Sequence, residues 1–337
     1  MKEAMFYKKL SDAKVRCDLC NHHCVIKDTD YGICGVRQNI GGKLFSLVYD
    51  RIVTTSIDPI EKKPLFQFYP GSGSFSIATV GCNFTCKHCQ NYNISQLPRE
   101  KKGSVPGNPI EPEKIVAEAM ASKCKSISYT YTEPTIFFEL AYETAILAQK
   151  KGMKNVFVSN GFMTPEALKE ISPYLDGINI DLKAFTDGFY KDICGARLDP
   201  VLQNIRLAKE LGIWVEVTTL IIPTLNDSKD ELKKIADFIK SVGEDIPWHI
   251  SQFYPTYKLD QLYRTPVETL HMARETGLRA GLHYVYEGNV PGKGDENTYC
   301  YSCGAQLIER MGFSIIKNII EDGKCPTCNS PVAGVGL

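Results

Sequence analysis

Three cysteines, Cys82, Cys86 and Cys89, stand close together in C-x3-C-x2-C spacing, with His88 directly before the last of them. A cubane [4Fe–4S] cluster takes one thiolate per iron, so three ligands from one short loop leave one iron without a protein partner. An open iron is a place where a small molecule can bind and react. A zinc knuckle is the competing use of such a stretch, but zinc knuckles draw on C-x2-C pairs, and the chain carries those elsewhere. Cys300-x2-Cys303 and Cys325-x2-Cys328 bracket a linker that reads as short β-structure. That pattern signals a zinc ribbon, tetrahedral and closed, with a rubredoxin-like iron site or a cluster as the alternative. A unit this small cannot bury enough apolar surface alone and needs a metal staple. Near the start of the chain, Cys17, Cys20, Cys24 and Cys34 form another four-thiolate set. Four ligands close either a structural zinc site or an auxiliary [4Fe–4S] cluster, and His22 and His23 between them read as exposed loop residues. Cys124 and Cys194 stand apart. Cys124 reads as a buried small hydrophobe. Cys194 follows a strand whose end carries Asp181 and Lys183, where it is either an inert loop residue or a group that meets substrate.

The chain has 337 residues, with 39 Lys and Arg against 39 Asp and Glu. A net charge of zero leaves no electrostatic footprint for nucleic acid or an acidic membrane surface. The start is too polar for a signal peptide, and no apolar run is long enough to span a bilayer. Thirteen cysteines, mostly in clusters with metal-ligand spacing, imply a reducing compartment rather than disulfides. The expectation is a cytoplasmic protein in an anaerobic setting.

The elements that must position these residues repeat a strand–helix rhythm. Apolar, β-branched runs of strand length occur at 75–80, 126–131, 155–160, 177–184, 214–222 and 248–254. Amphipathic stretches lie at 113–122, 134–151, 165–171, 200–211, 229–242 and 266–276, several starting at Pro and two stopping at Gly152 and Gly212. Six units suit an α/β fold with a parallel sheet and helices outside. A closed eight-unit barrel needs about 250 residues, so an open, partial (β/α)6 barrel is expected, with a doubly wound sheet as the alternative. The expected division is a metal-binding module with four cysteines at 1–70, the barrel at 71–285 and a ribbon-like module at 286–337. In such a barrel the reactive groups gather at the C-terminal ends of strands. The cysteine loop, Thr132-Glu133, Ser159-Asn160-Gly161, Asp181 and Lys183 all fall at or just beyond expected strand ends.

The cysteine motif with these strand ends resembles the radical S-adenosylmethionine (SAM) enzymes, and most closely the branch of pyruvate formate-lyase activating enzymes. The resemblance implies that the open iron takes the amino and carboxylate groups of SAM and that one electron breaks the sulfonium bond, releasing a 5′-deoxyadenosyl radical. It further implies that Thr132 and Glu133 meet the methionine amino group and that Asn160 and Gly161 lie beside the cofactor. Asp181 and Lys183 then hold the amino group and carboxylate, and His88 presents backbone to the adenine. A structural ion pair is the competing use of Asp181 and Lys183, and a helix N-terminal carboxylate that of Glu133. The branch's strand-six histidine has no match in Ile250-Ser251-Gln252-Phe253-Tyr254, and its strand-five arginine is replaced near Thr218 or Thr219.

The residues 17–37, the string from Lys63 to Gly71, the stretch 89–96, Tyr131-Thr132-Glu133-Pro134-Thr135 and the string 286–292 recur together. In that order they resemble the radical SAM component of the AmmeMemoRadiSam system, whose members commonly carry His at the position of Gln67. That resemblance implies Memo-like and AMMECR-like partners, beside an electron donor such as flavodoxin or ferredoxin. The function expected is reductive cleavage of SAM, followed by hydrogen abstraction from a protein, peptide or small molecule. A non-catalytic metal-binding adaptor of a multi-protein system is the alternative.

Overall fold

The computed structural model describes residues 1–290, 292 and 294–337; Pro291, within the string 286–292, lies outside the described residues. The central sheet has eight strands. They are β1 Thr54–Pro59, β2 Gly73–Ala78, β3 Ser126–Tyr129, β4 Lys154–Ser159, β5 Gly177–Asp181, β6 Trp214–Ile221, β7 Trp248–Gln252 and β8 Val285–Gly288. From β2 to β8 every strand pairs in parallel with its successor, and β1 runs antiparallel along β2. Because the spatial order follows the chain order without reversal, the sheet is singly wound. A doubly wound sheet would reverse at a switch point. Six helices fill the crossovers: α1 Pro112–Ala121, α2 Phe138–Lys150, α3 Pro165–Ile171, α4 Asp199–Glu210, α5 Lys229–Val242 and α6 Val267–Ala280.

The six expected strand–helix units are present, and two strands come in addition. Strand β8 is only four residues long, too short for periodicity to register. Strand β1 alternates exposed and covered positions along Thr-Thr-Ser-Ile-Asp-Pro and has no apolar run to announce it. The central sheet therefore begins before residue 71 and takes in residues 285–288. The helices start where side chains satisfy their free N–H groups: Thr164 accepts from Ala167 before α3 and Ser228 from Glu231 before α5. On α5, Leu232, Ile235, Ala236 and Ile239 recur at helical spacing and are all buried.

Side chains of β6 alternate between the two faces of the sheet. Thr219 faces outward and accepts from Trp248 Nε1 at 2.9 Å, and Trp248 lies beneath Gly277 of α6. Glu216 faces the interior and is fully buried. Its carboxylate accepts from the backbone N–H groups of Phe66 and Gln67 at 3.0 and 2.9 Å, from Trp214 Nε1 at 2.9 Å and from His249 Nε2 at 2.6 Å. These bonds draw the segment 60–69 into the barrel as a plug. Phe68 reaches Gly177 at the start of β5, and Asn179 donates to the Pro64 carbonyl at 2.7 Å. Gln67 donates to Tyr286 Oη at 2.9 Å.

The flanking modules dock on this body. The C-terminal one is a three-stranded antiparallel sheet of Thr298–Tyr299, Gln306–Met311 and Ser314–Asn318. Its Arg310 is buried, donates to the Phe66 carbonyl at 2.7 Å and lies over the Phe66 ring at 4.5 Å. The chain end pairs with the plug through Tyr69 N to Val335 O at 2.7 Å and Val335 N to Gln67 O at 2.8 Å. At the other end, Val15–Cys17 pairs with Tyr7–Lys9 and Val25–Ile26, and Arg37–Ile40 with Lys43–Ser46. Val15, Leu19, Val36 and Leu44 belong to the same hydrophobic core as the barrel. A buried ion pair, Arg37 Nη2 to Glu139 Oε2 at 2.6 Å, ties this module to α2.

Removing one member of a buried, hydrogen-bonded polar group leaves its partners unsatisfied. Glu216→Leu strands four donors at once and is expected to lower unfolding free energy by about 3–5 kcal/mol, with Glu216→Gln less costly. Urea denaturation followed by tryptophan fluorescence checks this, since Trp214 and Trp248 flank the site.

Candidate functional site

The C-terminal ends of β2 to β7 converge on a cavity of about 320 Å³. Cys82, Cys86 and Cys89 line it from the loop after β2, Thr132 and Glu133 from beyond β3, and Asn160 from the end of β4. Asp181 closes β5, with Lys183 just past it, and Thr218, Leu220 and Ser251 complete the wall from β6 and β7. His88 lines it too. The residues expected to act together are thus brought together, with two exceptions. Gly161 packs behind the wall in the left-handed region (φ +69°), where an added Cβ would stand 2.7 Å from Ile180 Cγ2. Its carbonyl accepts from Asn204. Cys194 lies behind the cysteine loop, fully buried, its sulfur within 4.8 Å of Cys86 Sγ and a His88 ring nitrogen. The loop is pinned there: Thr85 and Lys87 donate their N–H groups to the carbonyls of Cys194 and Ile193 at 2.8 and 2.9 Å.

The loop begins at Gly81 (φ +101°), where a Cβ would lie 2.7 Å from Val36 Cγ1 of the N-terminal module. Only glycine permits both that backbone and that approach. All thirteen cysteines are free of disulfides. Burial pushes the Cys82 thiol well up and the Cys89 thiol up, whereas a hydrogen bond from Cys194, helped by the Lys183 charge, lowers that of Cys86. Free thiols that line one cavity suit a metal group that takes them as thiolates. His88 is lowered to about 3 by burial and then by Lys183, so its ring is neutral, and Nδ1 is buried without a partner among the described residues.

Glu133 is 2 % exposed. Its Oε1 accepts from Thr135 N at 3.1 Å, Thr135 Oγ1 at 2.5 Å and Ser159 Oγ at 2.8 Å, and its Oε2 from Asn160 N at 2.8 Å. It therefore caps the 3-10 turn Pro134–Phe137 and lines the cavity. Burial raises its carboxyl despite those donors. Asp181 and Lys183 form an ion pair at 2.7 Å, with Asp181 the more exposed. Side chains two apart at a strand end face the same way. Lys183 is held well above the usual lysine value because Asp181 and the thiols outweigh its burial. Asn160 Nδ2 donates to Asn83 Oδ1 at 2.7 Å, bracing the wall against the cysteine loop.

A second charge cluster on the wall escaped the sequence. Asp58 of β1 meets Lys63 at 2.6 Å and Lys62 at 2.8 Å, accepts from Ser76 at 2.8 Å and is bonded by Tyr131 Oη. Burial raises the Asp58 carboxyl, but Lys62, Lys63 and Tyr131 override it and hold it well below the usual carboxylate range. Lys62, Lys63 and Tyr131 border the cavity. Lys63 and Tyr131 sat in family strings, yet nothing in a polar edge strand marks Asp58 as their partner.

The other two cysteine sets also assemble. Cys300 and Cys328 sulfurs are 3.6 Å apart and Cys303 and Cys325 sulfurs 3.7 Å, near the ~3.8 Å edge of a tetrahedron with 2.3 Å metal–sulfur bonds. Cys17, Cys20, Cys24 and Cys34 line one separate cavity. Cys124 is buried against Gly73.

A sequential parallel sheet with a three-cysteine loop after its first parallel strand defines a class, and the comparisons agree. Residues 76–239 match the Radical SAM superfamily model. The chain belongs to the radical SAM superfamily. It is 49% identical over 335 residues to an uncharacterized protein of Methanocaldococcus jannaschii, covering 98% of this chain and 99% of that one. It is 22% identical over 195 residues to the pyruvate formate-lyase-activating enzyme of Clostridium pasteurianum, covering 55% and 79%. In fold it is similar to Streptococcus suis SuiB bound to S-adenosylmethionine, with a TM-score of 0.51 at 13% identity over 68% of this chain and 53% of that one. No helix among the described residues is long and apolar enough to cross a membrane.

Asp58→Asn leaves Lys63 buried without a counter-ion and is expected to cost about 3–5 kcal/mol of stability. Because the native carboxyl is depressed, its contribution is whole above the ordinary value of 3.8 and is lost as pH falls below that. The gap between wild type and Asp58→Asn, read by urea denaturation, should therefore narrow in acid below pH 3.8.

Proposed function

We propose that this radical SAM enzyme holds a [4Fe–4S] cluster on Cys82, Cys86 and Cys89 and cleaves SAM to abstract hydrogen from a protein, peptide or small molecule. The observation that carries the reading is a cavity with three metal-facing thiols on one wall and a carboxylate–ammonium pair on another. When bound, the cluster and SAM supply one-electron cleavage of the sulfonium bond and the 5′-deoxyadenosyl radical that results.

The chain's own residues bind, orient and exclude water. Asp181 and Lys183 offer a zwitterion one charge of each sign from a single strand end, so a methionine moiety exchanges one ion pair for two. The Glu133 carboxylate, kept in place by four donors, meets the same ammonium, with Thr132 beside it. Asn160 braces the loop through Asn83 while its own position borders the cofactor. His88, neutral and buried, presents backbone to the adenine without adding charge. Phe84, Val158 and Leu220 make the apolar part of the wall, which keeps water from a reactive radical.

Beyond the site, the module order supports membership in an AmmeMemoRadiSam-type system, with Memo-like and AMMECR-like partners and a flavodoxin or ferredoxin as electron donor. The C-terminal thiols are a structural zinc site in this reading, which stabilises a sheet too small to fold on its own core. The neighbourhood of activating-enzyme relatives supports a protein or peptide as the hydrogen donor.

Anaerobic reconstitution with iron and sulfide, followed by dithionite and SAM, is the test. Wild type should release 5′-deoxyadenosine, and Cys86→Ala should fall to background while Cys303→Ala loses C-terminal metal first. Product from Cys86→Ala, or a wild type that holds zinc alone and turns nothing over, sinks the proposal. Asp181→Asn and Lys183→Met should each weaken SAM binding roughly 10- to 100-fold, about 1.5–3 kcal/mol for a charged hydrogen bond, as measured by anaerobic equilibrium dialysis.

A further inference from the structure

Cys17, Cys20, Cys24 and Cys34 face one cavity, bordered on the side of the barrel by Asn83, Thr135 and Ile136. Two ligand chemistries suit four thiolates, and their dimensions differ. A single zinc draws four sulfurs to tetrahedral edges of roughly 3.8 Å. A cubane binds each thiolate to its own iron, which holds the sulfurs farther apart. The two four-cysteine sets of this chain differ in this respect. All four C-terminal sulfurs lie within 4.8 Å of one another, whereas neither the N-terminal four nor Cys82, Cys86 and Cys89 draw together in that way among the described residues. The N-terminal set is thus not drawn together as the ribbon's four sulfurs are.

A second observation points to an anionic ligand in the cavity. Arg37 lines it and is 1% exposed. Its Nη2 is taken by Glu139, but Nε and Nη1 are buried with no hydrogen-bond partner among the described residues. Leaving two guanidinium donors unpaired in an apolar site is costly. The sulfide and thiolate sulfurs of a cluster, which carries net negative charge with four thiolates, supply acceptors beside them. Glu139 alone cannot explain both donors, because it binds the third nitrogen.

We propose that Cys17, Cys20, Cys24 and Cys34 hold an auxiliary [4Fe–4S] cluster, with Arg37 donating to its sulfurs. With four ligands it has no vacant iron, so it exchanges electrons and takes no SAM. Its place is set by contacts to the other cysteine loop. His22 Nε2 donates to the Asn83 carbonyl at 2.8 Å, and Asn83 follows Cys82 directly. Cys20 bridges to Met163, and Thr164 Oγ1 donates to the Asp18 carbonyl at 2.8 Å beyond the end of β4. A one-electron carrier there stands next to the loop that needs an electron, with Ile33 exposed and Cys24 partly exposed. This assignment rests on ligand spacing and Arg37, not on the activity proposed above.

The test uses the full chain, reconstituted anaerobically, with iron, sulfide and zinc counted by mass spectrometry and labile-sulfide assay. Wild type should hold about eight irons and one zinc, the Cys82→Ala/Cys86→Ala/Cys89→Ala variant about four irons, and Cys20→Ser/Cys24→Ser about four. The reduced triple variant should give a [4Fe–4S]⁺ electron paramagnetic resonance signal that added SAM leaves unchanged. A far-ultraviolet circular dichroism spectrum matching that of wild type reports that each variant has folded. Two zincs and no iron in the triple variant overturn the assignment, even if wild type cleaves SAM. Conversely, an iron-loaded triple variant beside an inactive wild type would keep this cluster while removing the proposed activity.

Discussion

The buried carboxylate of Glu216 is the point on which the architecture turns. An open parallel sheet has a mouth at each end, and only one of them serves as a site. Glu216 closes the other by gathering the backbone of Phe66 and Gln67, the indole of Trp214 and the imidazole of His249. A charge in that position is tolerable because four donors surround it. The plug it holds then carries three further duties. Lys63 emerges at the cavity and pairs with Asp58, Phe66 receives Arg310 of the C-terminal sheet, and Gln67 pairs with the chain end at Val335.

The cavity itself is a balance of buried charges rather than a greasy pocket. Lys63 answers Asp58, Lys183 answers Asp181, and Glu133 is met by backbone and hydroxyl donors. Each is held by hydrogen bonds or ion pairs within the protein, so the polar wall is fixed before any ligand arrives. That preorganisation limits the reorganisation needed when a charged ligand enters. The cysteine loop is braced from two directions, by the Ile193 and Cys194 carbonyls and by Val36 against Gly81.

The flanking modules differ in how they are held. The C-terminal sheet packs in a small separate hydrophobic cluster, in which Cys300, Cys325, Leu307 and Ile308 are buried with Phe66 of the plug and with Tyr284 and Tyr286. A metal held by its four thiols would supply what that cluster lacks in size. The N-terminal module has no core apart from the barrel's, and the Arg37–Glu139 pair crosses the boundary. Residues 1–70 therefore supply an edge strand, a plug and the ceiling of the cysteine loop, besides four thiolates.

Much of this was legible in the chain before any coordinates. Cysteine spacing alone separated a three-thiol loop from two four-thiol sets, because the members of each set are grouped along the chain. The helices and six parallel strands followed from periodicity, and the strand-end positions of Glu133, Asn160, Asp181 and Lys183 from where those runs stop. What the tertiary structure decided was everything that depends on distant residues meeting. Singly wound order, the strands β1 and β8, the Asp58–Lys63–Tyr131 cluster and the separation of the N-terminal sulfurs all arise from contacts far apart in sequence. Short polar strands bury no apolar face to advertise them, and an unpaired Arg37 donor has meaning only once its surroundings are known. Ligand type is written in one stretch of chain, whereas ligand spacing and charge pairing belong to the folded body.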